Sequence, residues 1–575
     1  MMGALALYGT AEPVVEAEVI RHVDVSLGFQ DGALRHIRVG GTEIIRQIAF
    51  LVRDRDWGTV RPEIGAVGRE TRGGDLLLRF PMIFRSNGAE QHVSLSLTIG
   101  ATSLTFAAES RISGMFETNR TGFTVLHPIT GVADAPVRVT HSDGSVDHSR
   151  FPDLIEPWQP FMDIAQLEHE ANGLTISCAF AGDTFEMEDQ RQWGDASYKT
   201  YNRPLALPWP YQLTGADRLR QSVTLRWSGA GIAARARPAV IPAGTVFPDL
   251  ALVVTPDEAR NPEAAQMLAL VAPQRVLAHV DATLPEPVSG QLAAFAALQV
   301  AYPAALYDLE LICRFRGDPA PELTSHARDL GASGLAVASV FVCPSVDRQS
   351  TPPGSAWPDC PPLDEIHAAA ARAFPGIKLG GGMASFFPEL NRKRPPAGLD
   401  FISHGFCPIV HASDDLAVME TLEAVPHIAR SARAIIGAAE YRIGPSTIAM
   451  RQNPYGSRTI PNPEGGRVAM TDDDPRHRAA FGAAWTLGMA TALAPFAPAV
   501  WTPAALFGPR GLGDGSWPVA VLLRELAASA GQPVIAAQIE GGEARLRLGA
   551  RLFRANLTAL QTGDLPPFGW VVTPA

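Results

Sequence analysis

The densest cluster of polar residues in the chain lies within residues 186–201. It combines four carboxylates, two glutamines, two cations and three aromatic rings. Charged groups and amides hydrogen-bond to hydroxyl groups, and an aromatic face packs against the C–H side of a sugar. This composition predicts a polyol-binding site with Arg191, Asp195 and Lys199 as candidate ligands. A charged hairpin edge that discourages aggregation is the alternative interpretation.

Lysine is rare in this sequence, and one of its few lysines lies in the cluster. The chain has three lysines, Lys199, Lys378 and Lys393, against 45 arginines (48 − 3). A lysine supplies a compact point charge or an amine whose pKa shifts on burial, which an arginine does not. We therefore expect Lys199 to have a role that arginine cannot fill.

A second set of candidates stands at the ends of apolar stretches that read as β-strands. Glu440 closes the run 435–439, and burial of a carboxylate there is costly unless the group is used or paired. A structural ion pair with Arg442 is the alternative. The other candidates in this set are Asp281, Glu389, Asn391, His404 and His411.

The alternatives for these residues are structural. Glu389 and Asn391 follow a run of three glycines at 380–382, where small residues would let a ligand or backbone approach. A solvated loop position is equally compatible with Glu389. His404 also fits a satisfied core histidine, and the acids that follow His411 also fit the N-cap of the next helix.

These candidates share one location if the central part of the chain is a (β/α)8 barrel. From residue 248 strand and helix patterns alternate with the spacing of βα units. The predicted strands are 250–255, 275–281, 307–315, 334–343, 377–383, 399–404, 434–441 and 499–502. The predicted helices are 262–271, 291–300, 320–330, 363–374, 416–431, 475–494 and 518–530, with none clear after the fifth strand.

A barrel fixes where the chemistry lies. The C-terminal ends of its strands form the mouth of the pocket, so we expect Glu440, Glu389 and His404 at that end. We also expect the 186–201 stretch to reach the mouth. A doubly wound sheet is less well supported, because no glycine-rich phosphate turn follows the first strand.

The flanking regions read as β-domains. Short alternating or β-branched runs separated by Gly, Asn and Asp fill residues 14–229, and 231–247 reads as a linker. Residues 533–575 contain a hairpin pattern around Gly541 and Gly542. The sequence thus predicts a multidomain protein: an N-terminal all-β sandwich (1–235), a central TIM-like barrel (248–530) and a small C-terminal β-domain (531–575).

Composition excludes several partners. The 575 residues are 46% hydrophobic and 19% charged, which is a folded globular composition, and the net charge of −11 makes nucleic acid an unexpected partner. The five cysteines are widely spaced without a C-x-x-C pair, which favours a reducing cytoplasm. No basic region precedes an apolar N-terminal run, so no export signal is expected.

One uncharged stretch is long enough to cross a membrane. Residues 479–501 lack formal charge over 23 positions, but they are rich in Ala and Gly and contain Pro495 and Pro498. A buried helix followed by a buried strand gives the same pattern and is preferred. We therefore expect no membrane partner, and the oligomeric state stays open.

Common catalytic motifs are absent from the sequence. There is no G-x-S-x-G elbow, no H-E-x-x-H and no H-x-H on the first barrel strand. A metal site assembled from Asp281, His404, His411 and Glu440 is an open alternative. We expect catalysis without a metal or other cofactor.

The 188–201 segment resembles the D-apionate lactonases of bacterial apiose catabolism. It reads E-D-Q-R-Q-W-G-D-A-S-Y-K-T-Y, and the segments 119–128 and 408–411 add to the likeness, which extends over essentially the whole chain. The resemblance implies hydrolysis of D-apionolactone, a branched five-carbon sugar lactone, to D-apionate. Gly194 stands where we expect Thr or Ser, which removes one ligand hydroxyl.

The resemblance assigns no residue roles, so the roles are our own hypothesis. Ester hydrolysis needs an activated water, a group that stabilises the oxyanion and a proton for the leaving alkoxide. We expect Glu440 or His404 as the base, Arg442 or Lys199 at the oxyanion and Glu389 as the acid. Asp195, Arg191, Asn391 and His411 are expected to bind the sugar lactone.

Two other functions are compatible with the sequence. A glycoside hydrolase would need two carboxylates, and the available pair would be Glu440 and Glu389. A non-catalytic sugar-binding protein would use the β-domain alone, although the carboxylates expected inside the barrel argue against it.

Overall fold

The computed structural model describes residues 3–55, 57–231 and 240–575, which form two compact units. The β-unit comprises the described residues of Val14–Arg191 and 196–231, and the barrel unit comprises 3–13, Gln192–Asp195 and 240–575. The predicted domain boundaries differ from this division, because the first 13 residues and four residues of the polar cluster belong to the barrel unit. Residues 232–239 of the predicted linker, including the boundary at 235, lie outside the described residues.

The β-unit is an antiparallel sandwich, as predicted. Its strands are β1 (Glu18–His22), β2 (Val25–Gln30), β3 (Ala33–Val39), β4 (Thr42–Arg53), β5 (Glu63–Ile64), β6 (Gly68–Arg72), β7 (Asp75–Ser86), β8 (Ala89–Ile99), β9 (Ser103–Ser113), β10 (Phe116–Thr118), β11 (Arg120–Pro128), β12 (Pro136–His141), β13 (Val146–Arg150), β14 (Ile164–Ala171), β15 (Leu174–Ala181), β16 (Phe185–Glu188), β17 (Ser197–Asn202), β18 (Tyr211–Leu213) and β19 (Arg218–Gly229).

Hydrogen bonding arranges sixteen of these strands in two long layers, which one residue pair between β14 and β16 connects, while β5 pairs with β7 and β10 pairs with β18. One layer runs β1-β2-β3-β4-β11-β17-β16. The other runs β6-β7-β8-β9-β19-β15-β14-β12-β13. Alternate side chains of each strand face the shared core, where Phe123 of one layer packs 5.1 Å from Phe106 of the other.

The barrel unit contains eight parallel strands that close on themselves. They are β20 (Asp249–Val254), β21 (Arg275–Asp281), β22 (Leu306–Cys313), β23 (Ser339–Pro344), β24 (Lys378–Phe386), β25 (Phe401–Phe406), β26 (Glu440–Ser446) and β27 (Val500–Ala505), and β27 pairs with β20. The eight-stranded barrel predicted from the alternation of strand and helix patterns is confirmed.

The helices of the barrel unit cover the outside of the strands or occupy the connecting loops. They are α1 (Ala4–Tyr8), α2 (Pro256–Ala259), α3 (Ala264–Val271), α4 (Val288–Ala301), α5 (Pro319–Ser333), α6 (Leu363–Ala373), α7 (Phe387–Arg392), α8 (Asp415–Glu420), α9 (Val425–Ile436), α10 (Ala480–Leu493) and α11 (Pro518–Ala527). The expectation of no helix after the fifth strand is wrong, since the six-residue α7 lies there.

The seventh strand begins six residues later than predicted. The sequence indicated 434–441, but α9 continues to Ile436, because Ile428, Ala432 and Ile436 keep one helical face buried. Gly437, at φ +64°, ends the helix, and β26 starts at Glu440. Glu440 is therefore the first residue of its strand, at the opposite end of the barrel from the mouth.

The uncharged stretch 479–501 is a buried helix followed by a strand. All 14 residues of α10 are buried, and Val500 begins β27. Strands β28 (Val534–Glu540), β29 (Glu543–Leu548), β30 (Arg551–Asn556) and β31 (Trp570–Pro574) form an antiparallel sheet that packs against α10 and explains its burial. None of the described helices has the length and apolar character needed to cross a membrane.

Side chains fill the lower half of the barrel. Asp308 of β22 hydrogen-bonds to Ser339 of β23 at 2.5 Å and lies 3.2 Å from Arg275. Arg442 donates to Ser339 at 2.9 Å and stacks on the ring of Phe401 at 3.6 Å. The cavity left among these residues is about 20 Å³, room for about one water molecule. This part of the barrel interior therefore has no room for a sugar-sized molecule.

Buried histidines occur in both units and make the fold sensitive to acid. Burial lowers the pKa of His127 to about 3 and the pKa of His169, His367, His404 and His477 to about 4. The unfolded chain takes up these protons near pH 6.5, so stability is present above that pH and is lost as the pH falls towards 4.

His169 offers a direct test of this effect. Both of its ring nitrogens are buried without hydrogen-bond partners, and its ring packs edge-on against Phe151. His169→Phe removes the unsatisfied atoms and the protonation site together, so we expect a higher melting temperature. The gain in unfolding free energy should be about 2 kcal/mol larger at pH 5 than at pH 7.5. The exposed His148→Ala is the control, and an equal gain at both pH values would contradict the prediction.

Candidate active site

A histidine and a glutamate lie side by side on adjacent strands near the mouth of the barrel. The parallel register pairs His279 of β21 with Glu310 of β22, and His279 Nδ1 lies 2.7 Å from Glu310 Oε1. Glu310 is almost fully buried and lines the interior of the barrel. The carboxylate thus fixes the orientation of the imidazole ring.

Arg451, in the loop after β26, completes this group. Its Nη1 donates to Glu310 Oε2 at 3.1 Å, and its Nη2 donates to the other carboxylate oxygen and also lies 2.8 Å from His279 Nδ1. Burial alone would raise the pKa of Glu310, but Arg451 and His279 outweigh it and hold the pKa well below its usual range. Glu310 therefore stays ionised at neutral pH.

The second nitrogen of His279 is available to a ligand. Within the described part of the chain, Nε2 makes no hydrogen bond, and it is not among the buried unsatisfied atoms. An imidazole held at Nδ1 by a carboxylate and open at Nε2 has the arrangement of a general base.

Two further acid–cation pairs follow the neighbouring strands. Arg348 donates to Asp281 at 2.6 Å, and Thr283 also donates to this carboxylate, so the pKa of Asp281 is lowered despite its burial. Lys393 donates to both oxygens of Asp347 at 2.7 and 3.0 Å. Burial nevertheless raises the pKa of Asp347.

Glu389 lies at the mouth end of the barrel, on α7, as the sequence predicts. It accepts hydrogen bonds from Ser350 Oγ at 2.6 Å and from Arg392 at 3.4 Å. Burial raises the pKa of Glu389, as expected for an acid, but the side chain is 3% exposed. Asn391 is buried beside it and accepts from Arg394 at 3.3 Å.

The structure brings together two residues that the sequence separates by 216 positions. Asp195 Oδ2 lies 2.7 Å from His411 Nδ1, in the loop after β25. Trp193 lies edge-on to the His411 ring at 5.9 Å and packs against Tyr455 at 5.3 Å. The four residues Gln192–Asp195 therefore supply a carboxylate to the barrel unit, where it forms a second histidine–carboxylate pair.

Gly194 is required by the conformation of this segment. Its φ is +92°, and a Cβ atom built there would lie 2.9 Å from the ring of Phe406. A serine or threonine would be strained and crowded at this position. The expected ligand hydroxyl is absent for this structural reason.

Glu440 and Arg442 are not at the mouth, which corrects the sequence prediction. Glu440 pairs with Lys378, the first residue of β24, and with Arg442. Burial would raise the pKa of Glu440, but Lys378 and Arg442 lower it, contrary to the expected rise. Both residues close the N-terminal end of the barrel.

The glycoside hydrolase alternative fails on distance. Lys378, the partner of Glu440, starts β24, whereas Glu389 follows its end. The nine residues of β24 span roughly 26 Å at 3.3 Å per residue. The two carboxylates of a glycosidase lie about 5–10 Å apart, so Glu440 and Glu389 cannot act as such a pair.

His404 is a satisfied core residue, so its expected position in the pocket is wrong. Its side chain is fully buried, Nδ1 donates to the carbonyl of Gly405 at 2.8 Å, and Nε2 accepts from the Tyr441 hydroxyl at 2.9 Å. Both ring nitrogens are engaged, and the lowered pKa keeps the ring neutral. With His404 and Glu440 displaced, the proposed metal site of Asp281, His404, His411 and Glu440 does not form.

Arg191 and Lys199 lie in the β-unit and are engaged there. Arg191 is completely buried, donates to both oxygens of Asp189 at 2.7 and 2.8 Å and stacks on Tyr198. Lys199 pairs with Glu188 across β16 and β17 at 2.5 Å, and burial lowers its pKa. The expectation that Arg191 and Lys199 bind substrate stays a prediction, and their contacts in the β-unit do not support it. The Arg191 side chain is fully buried, so none of its atoms is exposed to a ligand.

Sequence reasoning missed His279 and Glu310, although a signal was present. Alternate residues of a barrel strand face the interior, so acids at 308 and 310 in the otherwise apolar L-Y-D-L-E-L-I-C point inward together. The same alternation places His279 inward two residues before Asp281. The predicted candidates stood at the ends of the strands, whereas His279 and Glu310 lie before the ends of β21 and β22.

One described group has the residue types of a metal site. Ligand atoms of Cys313, Glu322 and His326 lie within 4.8 Å of one another. Glu322 already accepts two backbone N–H groups, from Arg314 at 2.7 Å and Phe315 at 2.8 Å. Because Ile312 of β22 belongs to the barrel core, Cys313 faces the outer helices, away from His279.

The fold and the mouth together define a TIM-barrel enzyme with an added β-sandwich. Two histidine–carboxylate pairs and several acid–cation pairs lie at the C-terminal parts of the barrel strands and the loops that follow them, and such groups are suited to moving protons to and from a polar substrate.

Comparison with known proteins names the family. Residues 5–230 match the model of the D-apionate lactonase N-terminal domain, and residues 250–531 match that of the D-apionate lactonase TIM barrel domain. A D-apionate lactonase of Brucella anthropi is 45% identical over 527 residues, which cover 88% of this chain and 85% of that protein. The chain therefore belongs to the D-apionate lactonase family and is a lactone hydrolase, and the resemblance seen in the sequence is confirmed.

Solved structures give only a distant likeness. A putative aldose 1-epimerase of Escherichia coli is 12% identical and covers 37% of this chain and 99% of its own, with a TM-score of 0.26. A GH36 α-galactosidase of Geobacillus stearothermophilus, also 12% identical, covers 94% of this chain and 91% of its own, with a TM-score of 0.26. At such scores the likeness carries no argument about function.

The pair formed by Asp195 and His411 can be tested by removing one charge. Asp195→Asn keeps the side-chain size but removes the carboxylate charge that lies 2.7 Å from His411 Nδ1. We expect kcat/KM for lactone hydrolysis to fall at least tenfold, about 1.4 kcal/mol, without a change in melting temperature. Asp24→Asn, at an exposed turn of the β-unit, is the control. Unchanged kinetics in Asp195→Asn would show that the contact is only structural.

Proposed function

We propose that this protein opens D-apionolactone to D-apionate at the mouth of its barrel, with His279 as the general base. The activity is that named for the Brucella anthropi relative, and 45% identity over most of both chains supports it. The observation that carries the mechanism is the 2.7 Å contact between His279 and the ionised Glu310, with Nε2 open to a ligand.

The first step is attack by water on the ring carbonyl. His279 Nε2 takes a proton from the water as its oxygen bonds to the carbonyl carbon, and the carbonyl oxygen becomes an oxyanion. We assign His279 the tautomer with Nδ1–H donated to Glu310 Oε1, which leaves Nε2 free to accept the proton, and Glu310 then stabilises the imidazolium that forms. Arg451 keeps the carboxylate in place, so the base needs no rearrangement during the reaction.

The second step breaks the bond between the carbonyl carbon and the ring oxygen. The leaving alkoxide takes a proton from the donor, the proton on His279 then passes through solvent to restore the donor, and the carboxylic acid formed loses its own proton to solvent, so one water is consumed for each lactone opened. We assign the proton donor to His411, whose Nδ1 lies 2.7 Å from Asp195 Oδ2 in the loop after β25. The buried Glu389 is the alternative donor because its pKa is raised.

The direct test is acid release measured by pH-stat titration against a panel of aldonolactones and aryl glycosides. The proposal requires acid from lactones and none from glycosides, with D-apionolactone hydrolysed at the highest kcat/KM. Release from the glycosides would contradict the proposed reaction. If another pentonolactone is hydrolysed at a higher kcat/KM, the reaction type is supported but D-apionolactone is not the preferred substrate.

Substitutions at the proposed base give the second test. His279→Ala and Glu310→Gln should each lower kcat about 10²–10⁴-fold, the usual contribution of a positioned acid or base. Glu440→Gln, at the opposite end of the barrel, should keep its activity. If Glu440→Gln is inactive while His279→Ala is active, the assignment of the base is wrong.

We also predict that catalysis needs no metal. Dialysis against a strong chelator should leave kcat unchanged. If activity is lost and one divalent ion restores it, Cys313→Ser shows whether the cluster with Glu322 and His326 holds the ion. A chelator-sensitive wild type would contradict the metal-free scheme in either case.

The cytoplasmic location also stays a prediction, with which the five free thiols are compatible.

A further inference from the structure

Arg510 lies in a rigid loop at the C-terminal end of the last barrel strand. Its carbonyl accepts a hydrogen bond from Ala505 N at 2.9 Å, and Gly511 N donates to Gly508 at 3.0 Å. His477 donates to the carbonyl of Gly511 at 2.9 Å. The backbone that carries Arg510 is thus fixed on both sides of the residue.

The guanidinium of Arg510 lacks a partner in the described part of the chain. Its Nε is buried without a hydrogen bond, and no carboxylate lies within ion-pairing distance. Burial lowers the pKa of Arg510, and the nearby charge of Arg451 lowers it further, although Asp472 and Glu258 act in the opposite direction. The guanidinium still stays charged at any working pH.

The other largely buried cations around the mouth have carboxylate partners. They are Arg348 with Asp281, Arg392 with Glu389, Lys393 with Asp347, Arg451 with Glu310, and Arg476 with Asp474. Arg510 is partly exposed: its Nε is buried without a partner, whereas its Nη1 and Nη2 are not among the buried unpaired atoms and are open to a ligand. Because burying part of a cation without an anion is costly, such an arginine is expected where a ligand supplies the negative charge.

We propose that Arg510 binds the carbonyl oxygen of the substrate and carries the negative charge that develops on it, so that it also holds the carboxylate of the product. This inference rests on the proposed function, because it assigns the oxyanion partner for the same reaction. It replaces Arg442 and Lys199, which were expected in that role from the sequence.

Location and chemistry support this assignment. Arg510 follows β27 and Arg451 follows β26, so both loops border the opening beside the His279–Glu310 pair. A guanidinium offers parallel N–H donors that match the two oxygens of a carboxylate. Its hydrogen bonds to the carbonyl oxygen shorten as that oxygen gains negative charge. A positively charged donor stabilises the transition state, in which the oxygen carries negative charge, more than the neutral lactone.

Kinetic measurements test the role in catalysis. Arg510→Ala should lower kcat for D-apionolactone about 10²–10³-fold, the effect of removing one oxyanion donor, and Arg510→Lys should recover part of it. Added guanidinium ion at non-denaturing concentration should restore activity to Arg510→Ala. Arg372→Ala, at an exposed position on α6, is the control and should match the wild type in the presence and absence of guanidinium.

Binding measurements separate this inference from the proposed function. Calorimetry should show that D-apionate, used as the probe, binds the wild-type protein and loses at least tenfold in affinity with Arg510→Ala. If the wild type binds D-apionate through Arg510 but hydrolyses no lactone, the proposed function fails and the anion site stands. Full activity or full D-apionate affinity in Arg510→Ala would overturn the inference. Melting temperatures of the variants identify any loss that comes from unfolding.

Discussion

The parallel register between β21 and β22 is the constraint on which the site depends. It sets His279 beside Glu310 with both side chains turned into the barrel. A shift of one residue in either strand would turn one of the two side chains outward and separate the pair. The layer beneath, built around Asp308 and Arg442, fills the barrel interior and leaves a cavity of only about 20 Å³.

Charge pairing explains why so many ionisable groups can gather at one opening. Each buried carboxylate near the mouth has a cation or a histidine within hydrogen-bond distance, and this partner offsets the cost of removing the carboxylate from water. The pKa shifts follow from this balance. Glu310 stays ionised because Arg451 is tightly held, whereas Asp347 and Glu389 keep raised pKa values because burial exceeds the effect of their partners.

The sequence predicted the architecture because the sandwich and the barrel have different sequence patterns. Alternation revealed the sandwich, the repeated strand and helix patterns revealed the barrel, and the 188–201 segment indicated the family. Strand ends were less accurate, because Ala434, Ile435 and Ile436 are apolar in a helix as in a strand. That single error moved Glu440 from one end of the barrel to the other.

The candidate site could be predicted only in part, for reasons that differ between residues. Asp195 and His411 were both named, but a contact across 216 positions has no local signal. His404 was misplaced, since a histidine facing a helix layer and one facing the pocket look alike in sequence. The glycines at 380–382 indicated close approach correctly, but the approach is to Phe401, His367 and Ser403 and not to a ligand.

The membership of Gln192–Asp195 in the barrel unit bears on how the protein can be divided. A fragment cut at the linker would retain all eight barrel strands and still lack Asp195, because that residue is encoded between two strands of the sandwich. The sandwich and the barrel are therefore not interchangeable modules. An insertion or deletion in the segment between β16 and β17 would displace the Asp195 carboxylate from His411, and a chimaera with a foreign β-domain would have to carry this tetrapeptide to keep the contact.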